Sequence, residues 1–202
     1  MLLIILNPIN SKLMKTQNRK KENEKLVKEV LFPQGVSASI ADNVLTIKSN
    51  KDESRRILTR HNLNISIESG KIRFESSRST KENKKIMGSM VAHVKNMVRG
   101  SQENHSYTLK ICSGHFPMNV SISNNKFVVK NFLGEKVPRT LKLKVGADVK
   151  IDGVMIHVTS PSKELAGQVS ADIEQLTRRP GFDTRVFQDG IYIINKDGRE
   201  LK

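Results

Sequence analysis

Short runs in which apolar and polar residues alternate dominate the first third of the chain and predict β-hairpins. Val36–Ala41 and Val44–Lys48 flank the dipeptide Asp42-Asn43, and both residue types tolerate the left-handed backbone of a two-residue hairpin turn. Ile65–Glu68 and Ile72–Phe74 flank a Ser-Gly dipeptide in the same way. The pattern therefore predicts two antiparallel hairpins, one after the other.

A helical period follows the second hairpin. Ser79 and Glu82 have the spacing of a capping box, and Gly100 is predicted to lie just past the helix end. The apolar residues that share one helical stripe are Ile86, Met87, Met90, Val91, Val94, Met97 and Val98. We predict an amphipathic helix that packs its apolar stripe on a sheet.

The second half of the chain repeats this order. Phe127–Lys130 corresponds to Leu45–Lys48, and Val149–Gly153 corresponds to Ile65–Gly70. The two helices align without a gap: Gly88, Ala92, Val94, Met97 and Arg99 correspond to Gly167, Ala171, Ile173, Leu176 and Arg178. We predict an α+β protein with two tandem copies of a small antiparallel sheet packed against one α-helix. The predicted domains are residues 26–101 and 102–202.

Residues 1–25 are predicted to form a basic N-terminal arm. Met1–Leu6 is apolar, but a run of six residues is too short to span a bilayer, and no basic region precedes it as in a secretory signal. Lys12–Lys28 carries seven basic residues and two acids, which is typical of a disordered arm that lies along phosphates. A translation start at Met14 and an organellar transit peptide are alternative interpretations.

The net charge of the chain indicates which class of binding partner to expect. Lysine and arginine number 35 against 20 acids, a formal net charge of +15. Such an excess favours a polyanion, with nucleic acid first and an anionic membrane second. The single cysteine, Cys112, excludes an internal disulfide framework and is typical of a reducing compartment.

The stretch from Gln175 to Lys196 is the strongest candidate for binding a polyanion. Its arginines lie on a loop broken by a Pro-Gly dipeptide; they are Arg178, Arg179 and Arg185. A tight turn is predicted at Asp189-Gly190, before an apolar strand that carries Tyr192. Cations beside a strand with one aromatic ring suit a polyanion with flat bases. The alternative is a solvated loop followed by an edge strand.

Candidate catalytic chemistry is sparse. Cys112 and His115 have a C-x-x-H spacing, but no second pair completes a zinc site, and no activating base other than His115 accompanies the thiol. We interpret Cys112 as a thiol packed in the strand Tyr107–Cys112. The sequence contains no P-loop and no dinucleotide fingerprint. We expect no cofactor, no metal and no small-molecule substrate, and we regard an RNA-acting enzyme as the less favoured interpretation.

Four stretches resemble one protein family. They are Val91–Gly100, His115–Pro117, Asn131–Lys136 and the terminal motif Arg185-x-Phe187-x-Asp189-Gly-Ile-Tyr192. From about Leu26 to Lys196 the chain is similar to the universal large-subunit ribosomal protein number six family, in its archaeal and eukaryotic form (number nine in eukaryotic naming). The resemblance implies a structural constituent of the cytoplasmic ribosome with two α+β domains. It also implies binding to large-subunit rRNA near the factor-binding region and its sarcin–ricin loop, mainly through the C-terminal domain.

On this basis we expect two groups of rRNA-binding residues. The first is Arg178, Arg179, Arg185, Asp189, Gly190, Tyr192 and Lys196, and the second is Lys130, Lys136 and Arg139. Gly190 is expected to let backbone approach a phosphate, and Asp189 to fix the turn. The expected partners are large-subunit rRNA and neighbouring ribosomal proteins, without a membrane. A free-standing basic regulator that binds RNA or DNA is the alternative.

The chain departs from the family pattern at two positions in the stretch from Gln175 to Lys196. Arg179 stands where an aliphatic residue is usual, and Phe182 stands where a basic residue is usual. These departures affect the contacts expected from residues 179–183. Arg178 and Arg179 are candidates to replace the missing basic charge.

Overall fold

The computed structural model describes residues 25–49, 52–58, 63–68, 70–183 and 185–201. The chain divides into two compact units, unit 1 from Met1 to Val98 and unit 2 from Arg99 to Lys202. This division falls close to the boundary predicted between residues 101 and 102. Except for Lys25, the predicted arm at residues 1–25 lies outside the described residues. No helix in the described part of the chain is long and apolar enough to cross a membrane.

In its described residues, unit 1 forms two three-stranded antiparallel sheets and one helix. Its strands are β1 (Leu26–Leu31), β2 (Ser37–Ala41), β3 (Val44–Lys48), β4 (Glu53–Ile57), β5 (Leu63–Glu68) and β6 (Lys71–Ser76). The sheet orders are β1-β6-β5 and β2-β3-β4, and helix α1 (Lys81–Gln102) follows. Both predicted hairpins are confirmed. Asp42 and Asn43 have positive φ angles of 47° and 64°, as the two-residue turn requires.

Strand β1 begins inside the segment that charge alone assigned to the arm. Lys28, the last residue of the predicted basic stretch, lies within β1 opposite Phe74 of β6. Val30 is buried in the core of unit 1, and Leu26 packs against that core. Burying these apolar residues favours the sheet over a solvated arm, so the arm prediction is wrong for residues 26–28.

The two ends of α1 differ from those predicted. Thr80, and not Ser79, caps the N-terminus, because its Oγ1 accepts a hydrogen bond from the Asn83 amide at 3.2 Å. Gly100 lies inside the helix instead of just past its end. A side-chain carbon at Gly100 would lie 2.0 Å from the Pro161 carbonyl oxygen. Glycine is therefore needed there for close packing, and not for ending the helix.

Unit 2 has the same elements in the same order and adds two strands. Its strands are β7 (His105–Cys112), β8 (Asn119–Ser123), β9 (Lys126–Lys130), β10 (Arg139–Lys142), β11 (Asp148–Asp152), β12 (Met155–Ser160), β13 (Gly190–Lys196) and β14 (Arg199–Glu200). Helix α2 covers Lys163–Leu176, and a 3₁₀ turn covers Phe132–Gly134.

The sheet topology confirms the tandem duplication. The sheet β1-β6-β5 of unit 1 corresponds to β7-β12-β11 of unit 2, and β2-β3-β4 corresponds to β8-β9-β10. The β8–β9 hairpin also turns on two residues with positive φ, Asn124 and Asn125. Unit 2 differs because β13 pairs with the other side of β7, and β14 pairs with β13. The C-terminal motif thus becomes part of the larger sheet of unit 2.

The core of unit 2 holds α2 and β13 together. Buried residues alternate with more exposed ones along β12 and along β7 as far as Leu109, as expected for a sheet covered on one face. The fully buried core residues include Leu109, Ile156, Val158, Ala166, Val169, Ile173 and Ile191. Phe127 and Phe132 complete this core from the smaller sheet and its 3₁₀ turn. The C-terminal end of α2 is therefore fixed beside the start of β13.

Candidate nucleic-acid interface

Two residues at the C-terminal end of helix α2 bind the edge of β13. Thr177 Oγ1 accepts a hydrogen bond from the Ile191 amide at 2.9 Å, and Glu174 Oε1 accepts one from the Ile193 amide at 3.0 Å. These contacts satisfy backbone donors that a sheet edge would otherwise leave unpaired. The loop between α2 and β13, residues 178–189, is thereby anchored to the sheet.

Asp189 fastens the start of β13 to the loop that follows β7. Its carboxylate is buried and accepts hydrogen bonds from the Gly114 amide at 2.6 Å and the His115 amide at 3.0 Å, and it also contacts His115 Nδ1. Burial opposes ionisation, but the hydrogen bonds from His115 and Gly114 outweigh it and hold the pKa of Asp189 below its usual value. Asp189 leads directly into extended β13, so the predicted tight turn at Asp189-Gly190 is wrong.

Gly190 leaves room for the ring of Tyr192 on the same face of β13. A side-chain carbon at Gly190 would lie 3.3 Å from the ring and from the hydroxyl oxygen of Tyr192. Tyr192 remains 41% exposed. Burial raises its pKa, with smaller contributions from Cys112, Asp189 and Glu174, so the hydroxyl stays protonated at neutral pH. The side chain offers an amphipathic ring at the surface.

Arg185 is highly exposed and pairs with a neighbour in its own loop. Its Nε and Nη2 lie 3.1 Å and 3.0 Å from the two carboxylate oxygens of Asp183, and its side chain is 89% exposed. The hydrogen bonds from Arg185 hold the pKa of Asp183 below its usual value. An ion pair this exposed is weak because solvent screens it, so another anion can replace the Asp183 carboxylate.

Arg139 is occupied by contacts within unit 2. Its Nε and Nη2 donate to the two carboxylate oxygens of Glu135 at 2.8 Å and 2.7 Å, and its Nη1 donates to the Leu176 carbonyl at 2.7 Å. The guanidinium also lies 4.4 Å from the ring centroid of Phe132. The same Nη1 lies 3.2 Å from the Arg178 carbonyl, and a cation at these two carbonyls caps the C-terminus of α2. Arg139, which we expected to bind rRNA, therefore uses its guanidinium in contacts with Glu135 and the end of α2.

The remaining predicted cations are more open. Arg178, Lys130, Lys136 and Lys196 are exposed and form no salt bridge with any other residue that the structure describes. Lys130 and Lys136 flank the 3₁₀ turn. Lys196 lies at the opposite end of β13 from Gly190, roughly 20 Å away at the rise of a β-strand, and pairs in register with Arg199. Lys196 is therefore separate from the other predicted residues.

Arg179 begins a stack of flat side chains, here called the aromatic stack: Arg179, Phe182, Phe187 and His115. The Arg179 guanidinium lies 4.2 Å from the Phe182 ring centroid and its Nη1 lies 3.7 Å from Glu135 Oε1. Phe182 meets Phe187 edge to face at 5.0 Å, and Phe187 packs against His115 at 5.0 Å. Sequence reasoning missed the three ring residues as parts of the site. Two of them, Phe187 and His115, lie inside the quoted family motifs, which was the available signal.

A cavity of about 440 Å³ opens beside the aromatic stack. The predicted residues that line it are Arg178, Arg179, Asp189 and Tyr192. Phe132 and Ile191 contribute part of its apolar lining. Four of the seven residues in the first predicted group therefore meet at one place. Within the described ranges, no group of three or more His, Cys, Asp or Glu side chains could hold a metal ion.

Comparisons with known proteins agree on one family. Residues 116–190 match the family model for ribosomal protein L6. The chain is 39% identical to large ribosomal subunit protein uL6 of Methanococcus vannielii, over 86% of this chain and 95% of the relative. It is 38% identical to the protein of the same name from Methanobrevibacter smithii, over 84% and 95% of the two chains. For Methanosarcina mazei uL6 the identity is 36%, over 86% and 98%.

Proposed function

Because this chain belongs to the ribosomal protein L6 family, we propose that its unit 2 binds large-subunit rRNA near the factor-binding region and the sarcin–ricin loop. Family membership makes the chain a structural, non-enzymatic constituent of the large subunit of the cytoplasmic ribosome. There it associates with rRNA and with other ribosomal proteins and supports translation. The proposal adds the rRNA region and the surface that binds it.

One observation supports this surface above others: exposed cations lie on a loop that is anchored by buried hydrogen bonds. Arg178 and Arg185 are exposed, whereas Thr177 and Asp189, which hold the two ends of the loop, are buried. A preorganised loop loses less conformational entropy on binding than a flexible one. Guanidinium groups also match phosphate oxygens in a bidentate manner, so such a loop suits the backbone of folded RNA.

The predicted residues take two roles in this proposal. The residues that contact RNA are Arg178, Arg179, Arg185, Tyr192, Lys130, Lys136 and Lys196. The residues that position them are Asp189, Gly190 and Arg139. Asp189 and Arg139 use their polar atoms within the protein, and Gly190 acts by leaving space for Tyr192. Arg139 therefore supports the RNA contacts of its neighbours instead of making one.

The test compares two RNAs at the same salt concentration. Affinities of the full chain and of Arg185→Ala are measured for a large-subunit rRNA fragment that contains the sarcin–ricin region and for a scrambled RNA of equal length. The variant should lose about 1–3 kcal/mol on the rRNA fragment and less on the scrambled RNA. Lys71→Ala in unit 1 is the control, because Lys71 already pairs with Glu29 and Glu68. Equal losses on both RNAs from a folded Arg185→Ala protein would contradict the proposal.

A further inference from the structure

The cavity between the end of α2 and the start of β13 has the size and lining of a ligand site. Its volume of about 440 Å³ falls in the range of about 300–1,000 Å³ that is usual for small-molecule sites. Phe132, Leu133 and Ile191 give it apolar surface, and Gln175 and Arg178 add polar groups. A cavity with this combination can bury a flat apolar ring and still bind its polar edge.

The aromatic stack contributes flat surfaces to the same cavity. Arg179 and Phe182 both line it, with the guanidinium 4.2 Å from the ring centroid. The edge of Phe187 supports Phe182 from another side. Phe182 keeps 39% of its surface exposed, so part of its ring is accessible to a ligand. Unstacked RNA bases bind by stacking on aromatic rings and on guanidinium planes.

We propose that this cavity binds one unstacked nucleobase of the RNA, stacked against the Arg179–Phe182 pair, with Arg178 near the attached phosphate. A nucleotide combines a flat ring with a negative charge, which matches a lining of aromatic rings and arginines. An apolar peptide side chain would fill the cavity but would leave the charge of Arg178 without a partner. The inference rests on RNA binding by unit 2 and adds that a base, in addition to phosphates, is bound there.

Free nucleotides test this inference directly. The ¹⁵N-labelled full chain is titrated with AMP, GMP, CMP and UMP, and separately with ribose 5-phosphate and inorganic phosphate, at equal ionic strength. At least one nucleotide should shift the amides of Arg179, Phe182 and Ile191 saturably at millimolar concentration, while ribose 5-phosphate leaves them in place. Equal shifts with ribose 5-phosphate would reveal a phosphate site only and overturn the inference. An absence of saturable shifts with every nucleotide would also overturn it.

Variants separate the stacking contact from charge. Phe182→Ala should bind the preferred nucleotide roughly 5- to 150-fold more weakly, the loss expected for one base stacked on an aromatic ring. Arg179→Lys keeps the charge, removes the plane and should also weaken binding, so it serves if Phe182→Ala fails to fold by circular dichroism. Val186→Ala is the matched control, since Val186 is exposed in the same loop and does not line the cavity. Unchanged nucleotide affinity in folded Phe182→Ala and Arg179→Lys proteins would overturn the inference.

The same proteins distinguish failure of this inference from failure of the proposed function. If the wild-type chain prefers the rRNA fragment over scrambled RNA but no nucleotide occupies the cavity, the base site is wrong and RNA binding by unit 2 stands. If the wild-type chain binds both RNAs equally, the proposed function fails, and with it the inference that depends on it.

Discussion

The two units share one fold but arrange their charged side chains differently. On the sheet β1-β6-β5 of unit 1, basic and acidic side chains alternate in a network of ion pairs: Lys71 with Glu29 and Glu68, and Arg73 with Glu29, Glu68 and Glu75. On the corresponding sheet of unit 2, Lys110 and Lys150 are exposed and form no salt bridge with another described residue. Unit 1 thus pairs its cations with acids on this face, whereas Lys110 and Lys150 of unit 2 form no such pairs among the described residues.

The number of charged residues does not explain why we assign RNA binding to unit 2 and not to unit 1. Residues 99–202 carry 16 lysines and arginines against 11 acids, whereas residues 1–98 carry 19 against 9. What unit 2 has in addition is the segment after α2, which forms an anchored loop and the strand β13. In our proposal, binding therefore depends on how unit 2 holds and presents its cations, and less on their total.

The largest expected effect is loss of the anchor at Asp189. Asp189→Ala leaves the Gly114 and His115 amides without their acceptor, so the free energy of unfolding should fall by about 2–4 kcal/mol. Urea denaturation followed by circular dichroism measures this change. Asp152→Ala, on an exposed position of β11, is the control and should change stability by less than about 0.5 kcal/mol. Similar losses from both variants would show that Asp189 is not an anchor.

Acidification should lower the stability of unit 2, because Asp189 and Asp197 become protonated. Burial opposes the ionisation of both carboxyls, yet hydrogen bonds hold each pKa below the usual 3.8: from His115 and Gly114 for Asp189, and from His105 and Lys163 for Asp197. A pKa lowered by folding stabilises the fold above the unfolded pKa, and this contribution is lost as pH falls through the folded pKa.

The Asp189→Asn variant checks this pH dependence. It should be less stable than wild type at neutral pH and should lose less further stability below pH 4, because the titrating carboxyl is gone. Urea denaturation at a series of pH values gives both quantities. An equally steep loss of stability in the variant and the wild type would rule out Asp189 as a source of the acid sensitivity.

A smaller effect distinguishes open cations from paired ones. Lys136→Ala should reduce the slope of log affinity for the rRNA fragment against log salt by about one, because one phosphate contact is lost. Lys71→Ala, in the ion-pair network of unit 1, should leave the slope unchanged. Arg139→Ala should lower affinity through a loosened helix end without changing the slope. A reduced slope for Lys71→Ala would mean that unit 1 also binds phosphates.

Local patterns in the sequence were sufficient for most of the fold. The hairpin at Asp42-Asn43 and the apolar stripe of α1 depend on residues close together in the chain. The duplication could be predicted because the sequences of the two helices align without a gap. The predictions were wrong where residues far away in the sequence determine the local structure. Glycine is the residue type expected at a helix end, but Gly100 is needed for close packing against Pro161. In the basic stretch, the many charges hid the apolar residues that β1 buries in the core.

The sequence predicted four of the residues that line the cavity, Arg178, Arg179, Asp189 and Tyr192, but not the contacts that they make. Asp189 binds amides 74 and 75 residues earlier in the chain, a contact that no local pattern contains. Arg139 resembled an open cation until its contacts with Glu135 and the end of α2 were known. Arg179 and Phe182, separate departures in the sequence, contact each other in the fold. Comparing each position with the family pattern separately cannot reveal this contact.

The central claim is that the anchored loop of unit 2, and not charge alone, recognises rRNA. Chemical-shift mapping of the ¹⁵N-labelled full chain with the rRNA fragment, and with scrambled RNA at the same salt, tests it most directly. We predict that amides of residues 178–192 shift strongly with the rRNA fragment and weakly with scrambled RNA, while those of β1, β6 and β5 change little with either. Equal shifts with both RNAs, or the strongest shifts in unit 1, would contradict the account.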